Sequence, residues 1–245
     1  MIQVECRCHG RLNELLPPSQ RGRARLMRLK QAVSLQQLLI PLRIPHPEVD
    51  LALINGVPVA LSCQVQDGDH LHLYPDIGDI DDPAIIPLRR RPLQRARFIL
   101  DVHLGRLARR MRLLGLDTWY RNHMDDRPII RLARLQSRMI LTRDRGLLQQ
   151  PDVSHGYYVR ATHPEKQLRE VLARFEAWPW LAPFSRCTRC NSLIERLSPE
   201  EVQRRVRPRL SREFDTFFRC TGCDQLYWQG SHYDRLRAYV DQLRG

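Results

Sequence analysis

Polar and apolar positions along the 245-residue chain change their period near residue 97. Ile2, Val4, Cys6 and Cys8 alternate with polar neighbours, the spacing of a strand with one buried face, and His9-Gly10 closes that strand as a turn. A second strand is expected over Arg25–Lys30, where Leu26 alternates with Arg28. Ser34 stands just ahead of Leu35, Leu38 and Leu39, an N-cap before a short helix that Pro41 and Pro45 end. Ala52–Asn55, Gly56 and Val57–Ala60 read as strand, turn and strand, and His70–Tyr74 as a last strand after Asp67-Gly68-Asp69.

Beyond residue 97 short apolar runs alternate with helical spacing. Phe98–Leu100 is too brief for a helix and suits a buried parallel strand. Leu104, Leu107, Ala108, Met111 and Leu114 follow at helical intervals, and Gly115 ends that helix. Thr118–Tyr120, Met139–Leu141 and Tyr157–Val159 repeat the strand signal, with helical patterns over 129–135 and 165–175. Strands alternating with helices imply right-handed crossovers and a mainly parallel sheet.

The order ββαββ within about 75 residues resembles a ubiquitin-like β-grasp domain. Its ending, GDHLHLYPDIG, is similar to the last strand of the small sulfur-carrier proteins of thiamine and molybdopterin synthesis. Those carriers end in a free diglycine, whereas this strand runs on into Asp79–Pro92, rich in Pro, Asp and Arg. Protein docking is therefore expected of this domain rather than sulfur transfer or conjugation.

Charge separates the two halves. Residues 1–80 hold eight basic and eight acidic side chains, so the whole net charge of +13 falls after them. A basic excess confined to one region is the footprint of a polyanion partner. Only Lys30 and Lys166 are lysines, and guanidinium groups hold phosphate bidentately and stack on bases, which suits RNA. No stretch approaches the roughly 18 apolar residues of a membrane helix, and MIQVECRCHG lacks the sections of a secretory signal. With an odd count of seven cysteines, the reading is a cytoplasmic protein without a membrane partner, in which Cys6, Cys8 and Cys63 are small buried residues.

In open α/β sheets ligands bind beyond the carboxyl ends of the strands. Asp101 directly follows the first strand in FILD, and Asp144 lies three residues past Leu141 in ILTRD. Asp125 and Asp126 precede the intervening helix. Carboxylates gathered at one edge repel one another unless a cation is present, and such oxygen-rich sites suit Mg²⁺ or Mn²⁺. Taken singly, each acid also reads as a helix cap or a solvated turn residue. Arg106, Arg109 and Arg110 on the helix after Asp101, and Arg143 and Arg145 around Asp144, suit a phosphate backbone; solvated faces are the alternative. His103 reads either as a substrate contact or as a capping residue.

Cys187-x-x-Cys190 and Cys220-x-x-Cys223 are matched pairs separated by 29 residues. Four thiolates complete a tetrahedral shell around one Zn²⁺, closed to water and hence structural. Tyr227, Trp228, His232 and Tyr233 follow the second pair and suit either base stacking or a small core, and Glu200–Arg212 reads as an arginine-rich arm along an RNA backbone.

FILDVHLGRLARRMRLLGLDTWYR, DDRPIIRLA, RMILTRDRGLL, RCTRCNSLI and FFRCTGCDQLYWQGSHY together resemble the Mut-seven C-terminal family over roughly 97–240. The resemblance implies a PIN-like ribonuclease domain bearing a zinc ribbon, behind an N-terminal ubiquitin-like domain. It makes Asp101 and Asp144 metal ligands and puts Asp126, or its neighbour Asp125, at the family's second acid. Many PIN-type sites add an acid after the ILTRD motif, where this chain has Arg145 and Gly146. The expected architecture is a β-grasp domain over 1–78, a linker over 79–96, an α/β PIN-like domain with a mainly parallel sheet over 97–180, and the zinc ribbon with a C-terminal helix over 181–245. Two functions stay open. One is a ribonuclease using Mg²⁺ or Mn²⁺, acting on tRNA or another structured RNA, with a protein partner on the ubiquitin-like domain. The other is a non-catalytic RNA-binding adaptor.

Overall fold

The computed structural model describes residues 1–76, 88 and 97–244. Apart from Leu88, the expected 79–96 linker lies outside the described residues. In the N-terminal part, β1 (Ile2–Cys8) turns Val4, Cys6 and Cys8 inward, as its alternation requires. It pairs antiparallel with β2 (Arg25–Leu29), where Val4 faces Met27. Met27 rather than Leu26 turns inward on β2, and Leu26 lies exposed. The one-residue offset follows from this register. Helix α1 (Leu35–Leu39) opens with a reciprocal capping box between Ser34 and Gln37 and buries Leu35, Leu38 and Leu39.

β3 (Leu51–Ile54) and β4 (Val57–Pro58) form a hairpin around Asn55-Gly56, both with positive φ, as a two-residue turn of that hand requires. The expected strand Val57–Ala60 is cut to two residues, because Pro58 has no amide for a ladder and confines β4 to the sheet edge. β5 (His70–Tyr74) lies parallel to β1 and antiparallel to β3, giving the order β2-β1-β5-β3-β4. This mixed sheet, with α1 against it, is the β-grasp arrangement.

Past residue 97 the elements are β6 (Phe98–Leu100), α2 (Gly105–Leu113), β7 (Thr118–Trp119), α3 (Asp126–Leu135), β8 (Met139–Thr142), α4 (Arg145–Gln149), β9 (Gly156–Tyr158) and α5 (Pro164–Arg174). They build a four-stranded sheet of order β7-β6-β8-β9, in which β6–β7 and β8–β9 are parallel pairs. Phe98, Ile99 and Leu100 are all buried, as befits a strand covered on both faces. Gly115 takes the left-handed conformation that ends α2, and a Cβ there would run into the Ala182 carbonyl.

The ribbon follows: β10 (Ile194–Arg196), α6 (Pro199–Arg205), α7 (Pro208–Glu213), β11 (Phe217–Cys220), β12 (Leu226–Trp228) and α8 (Ser231–Arg244). β11 is the central strand of an antiparallel sheet. The arginine-rich arm over Glu200–Arg212 is built from two short helices. Ser198 and Glu201 form a capping box that starts α6, and Pro208 starts α7.

Two compact units result: Met1–Gln94 with Asp125–Tyr158, and Arg95–Met124 with Val159–Gly245. In the first, the β-grasp domain is fastened to the segment around α4 and β9. Glu48, fully buried, accepts from the Tyr158 amide at 2.6 Å, and His46 Nε2 donates to the Val153 carbonyl at 2.7 Å. Arg145 donates to the Leu15 carbonyl at 2.8 Å and lies over the Tyr158 ring, 4.9 Å from its centre. No helix among the described residues is long and apolar enough to cross a membrane.

Candidate functional site

The two cysteine pairs are brought together as their spacing foretold. All four Sγ atoms lie within 4.8 Å of one another. Cys187 and Cys223 are 3.6 Å apart and Cys190 and Cys220 3.2 Å. A disulfide needs about 2.05 Å, whereas sulfurs about 2.3 Å from one tetrahedral ion stand near 3.8 Å from each other. The cluster has the dimensions of a metal shell.

The backbone builds each knuckle the same way. Asn191 and Asp224, one residue past each second cysteine, adopt positive φ, which these side chains tolerate. Amides of Cys190, Gly222 and Cys223 point at sulfur from 3.3–3.4 Å. Burial would push the Cys190 thiol up, but the Ser192 amide and hydroxyl and the neighbouring thiols outweigh it and bring it to about 6. Burial, with the surrounding thiols, pushes Cys223 up to about 12. Four such groups cannot all ionise together without a cation, so the donor set fits a bound metal ion.

The first knuckle is bolted to the edge of β7. Arg112, buried on α2, donates to the carbonyls of Thr118 (2.8 Å), Tyr120 (3.3 Å), Thr188 (3.3 Å) and Arg189 (2.9 Å). Burial holds its guanidinium below the usual arginine value, while Cys190 and Cys187 oppose that shift. Asn191 accepts from the Thr118 amide and donates to Asp117, both at 2.8 Å.

Asp101 is 5% exposed at the carboxyl end of β6. It precedes the single 3-10 turn Val102–Leu104, which its side chain does not cap. Beyond the same end of the β6–β7 pair lies a cavity of about 430 Å³. His103, Arg106, Arg109, Tyr120, Asn122 and Gln167 line it. Tyr120 is held there by a hydrogen bond from its hydroxyl to the Val102 carbonyl at 3.0 Å, and Gly105 makes room for its ring. Of the α2 arginines expected to meet a phosphate, Arg106 and Arg109 face this cavity, while Arg110 lies 3.7 Å from the Glu165 carboxylate. Arg110 is thus paired within the fold.

In the other unit Asp144 is exposed and caps α4, accepting from the Gly146 amide at 2.7 Å. Its own amide donates to Thr142 Oγ1 at 2.8 Å. Asp125 is the N-cap residue of α3 and Asp126 stands in its first turn, both exposed. Arg143 is half-buried, and Arg145 is taken up by Leu15 and Tyr158.

A family model described as the Mut7-C RNAse domain matches residues 96–240, and one described as Mut7-C ubiquitin matches residues 1–81. The chain belongs to the Mut7-C family. No curated protein and no solved structure matches it. The Mut7-C RNAse span holds the cysteine cluster, Asp101 and the basic cavity, while the Mut7-C ubiquitin span coincides with the β-grasp sheet.

Within the Mut7-C domain, sequence reasoning missed Arg112, Tyr120, Asn122, Gln167 and Asn191. Arg112 looks like its neighbours in the run Arg109-Arg110-Met111-Arg112, and only its long-range carbonyl partners set it apart. Asn191 had a legible signal: directly after a second knuckle cysteine, an Asn tolerates the required turn.

Proposed function

We propose that this Mut7-C protein is a metal-dependent ribonuclease that hydrolyses RNA phosphodiester bonds. One observation carries the reading: a buried carboxylate, Asp101, ends β6 at the same strand ends as a cavity presenting Arg106 and Arg109. A buried acid at a strand's carboxyl end is placed for a ligand, and paired guanidinium groups beside it suit a phosphate.

Asp101, Asp126 (with Asp125 beside it) and Asp144 would hold Mg²⁺ or Mn²⁺. These oxygen donors suit a hard cation. When bound, the ion supplies activation of water and neutralises charge on the leaving oxygen. Arg106 and Arg109 then hold the phosphodiester, and Tyr120 and Asn122 bound the cavity that orients it. A water oxygen bonds to phosphorus as one P–O bond breaks, and the departing oxygen takes up a proton. The cysteine cluster would hold one structural Zn²⁺, since four thiolates leave no open position. An odd count of seven cysteines, four of them gathered in the metal cluster, supports a reducing, cytoplasmic setting. A structured RNA such as tRNA is the substrate class, and a protein partner would meet the exposed parts of the ubiquitin-like domain.

A second reading, a non-catalytic RNA-binding adaptor, is favoured by one feature. Arg145 stands where many PIN-type sites add an acid, and its guanidinium is taken up by the Leu15 carbonyl. Cleavage of a labelled structured RNA with Mg²⁺ or Mn²⁺ separates the two, comparing wild type with Asp101→Asn and Asp144→Asn. The ribonuclease reading expects cleavage by wild type and a loss of about 100-fold or more in each variant. Equal residual activity in all three points to contamination. RNA binding without cleavage under any metal supports the adaptor.

A further inference from the structure

The ribbon carries an aromatic cleft that the hydrolytic chemistry does not use. A cavity of about 700 Å³ is bounded by Phe184, Phe214, Phe218, Trp228, Tyr233 and Leu236. Phe184 and Tyr233 meet at 4.7 Å between ring centres, tilted by 47°, and Phe214 and Trp228 stand 6.5 Å apart at 43°. Gly230 leaves room for the second pair: a Cβ there would lie 3.2 Å from Trp228 Nε1 and 3.3 Å from Phe214 Cζ. Trp228 is nevertheless 39% exposed. A finished small core would cover an indole whose burial is favourable.

The cleft is not a plain apolar groove. Gln225, Gln229, Ser231 and His232 bring donors and acceptors to its lining, and none of the described residues that line it is acidic. Arginines approach from two sides. Arg207, Arg209 and Arg212 are exposed along α7, which runs directly into Phe214, and Arg235 and Arg237 are exposed on α8 beside Tyr233. Glu213, Asp215 and Asp234 are the acids over 207–215 and 231–237, so five cations face three carboxylates there. The wider region holds all of the net charge of +13.

We propose that this cleft binds unpaired bases of single-stranded RNA, with the α7 and α8 arginines following the phosphates. Aromatic faces accept any base, polar groups at their rims meet base edges, and a cationic approach recruits the strand. Bases within a duplex are stacked and closed to such rings, so single strands, loops and ends are the matching ligands. The apolar walls alone would also suit a protein segment, but the surrounding arginines favour a polyanion. The proposal rests on the RNA reading and adds where the strand is gripped away from the cutting edge.

The test uses the full, zinc-loaded chain without added Mg²⁺ or Mn²⁺, so that RNA stays intact. Fluorescence anisotropy compares a labelled single strand, the same strand with abasic central positions, and its duplex. Trp228→Ala should weaken single-strand binding about tenfold, while Trp228→Phe keeps most of it. The abasic strand should bind wild type as weakly as the intact strand binds Trp228→Ala. Zinc content reports folding, and Phe214→Leu replaces any variant that loses its metal. Equal affinity of wild type and Trp228→Ala, or of intact and abasic strands, overturns the proposal and leaves the cleft to a protein segment. That outcome with RNA cleavage intact spares the ribonuclease reading. A wild type that neither binds nor cuts RNA removes both.

Discussion

The Glu48 carboxylate, buried beneath the β-grasp domain, accepts a hydrogen bond from the Tyr158 amide 110 residues later in the chain. With His46–Val153 and Arg145–Leu15, it ties the ubiquitin-like domain to the segment carrying Asp144. The domain is thus a clamp on its own chain, whatever else it contacts. Glu48→Ala leaves the half-buried Tyr158 amide without this acceptor and should cost about 1–3 kcal/mol, read as a lower denaturant midpoint. Glu48→Gln keeps an acceptor and should recover part of the loss. An unchanged midpoint for the alanine variant contradicts the clamp.

Arg112 joins the metal knuckle to β7 and to Tyr120 through four carbonyls. Arg112→Met leaves buried acceptors unpaired, with an expected cost of about 3 kcal/mol. Arg112→Lys lacks the fork that reaches several carbonyls at once and should rescue little. Because Tyr120 lines the basic cavity, RNA affinity should fall with stability. Thermal unfolding and chelator-driven zinc release check this; wild-type values for both in the methionine variant count against it.

Stability should depend on pH through His46. Burial pushes its imidazole below the ordinary value of 6.5, and the Val153 hydrogen bond opposes only part of that. The unfolded chain therefore takes up the proton first. This contribution is full above 6.5 and is lost as pH falls through that value towards the folded one. His9 shifts the same way, through burial and then His72 and Arg7. Urea midpoints at about pH 7.5 and 5.5 should differ more for wild type than for His46→Gln, which keeps a donor towards Val153. Equal differences contradict the assignment.

The cysteine cluster should hold about one zinc per chain by metal analysis. Cys187→Ser or Cys220→Ser should lose it and melt the ribbon, where metal binding supplies roughly 10 kcal/mol of folding free energy. Fully reduced wild type free of metal contradicts the site.

Much of this was legible because it was local. The β1 alternation, the Ser34 cap, the buried Phe98–Leu100 strand and the cysteine spacing each sit in a short window with one dominant physical cause. The unread parts depend on distant partners. Arg145 looked like a phosphate contact beside Asp144, and nothing nearby announces that Leu15 and Tyr158 take it up. α4 is only five residues long, too short for periodicity to declare it, although Asp144 ahead of Leu147-Leu148 marks its start. α6 and α7 were hidden by their arginines, which masked the Ser198 capping box.

We propose above that Asp101 and Asp144 would serve one cation. Electron paramagnetic resonance of Mn²⁺ added to the zinc-loaded protein tests it most directly, by counting bound Mn²⁺ in wild type, Asp101→Asn, Asp144→Asn and the double variant. The account predicts that each single change weakens the same site and that the double variant adds little further loss. Undiminished Mn²⁺ binding in either single variant, or independent losses that sum in the double variant, would contradict it.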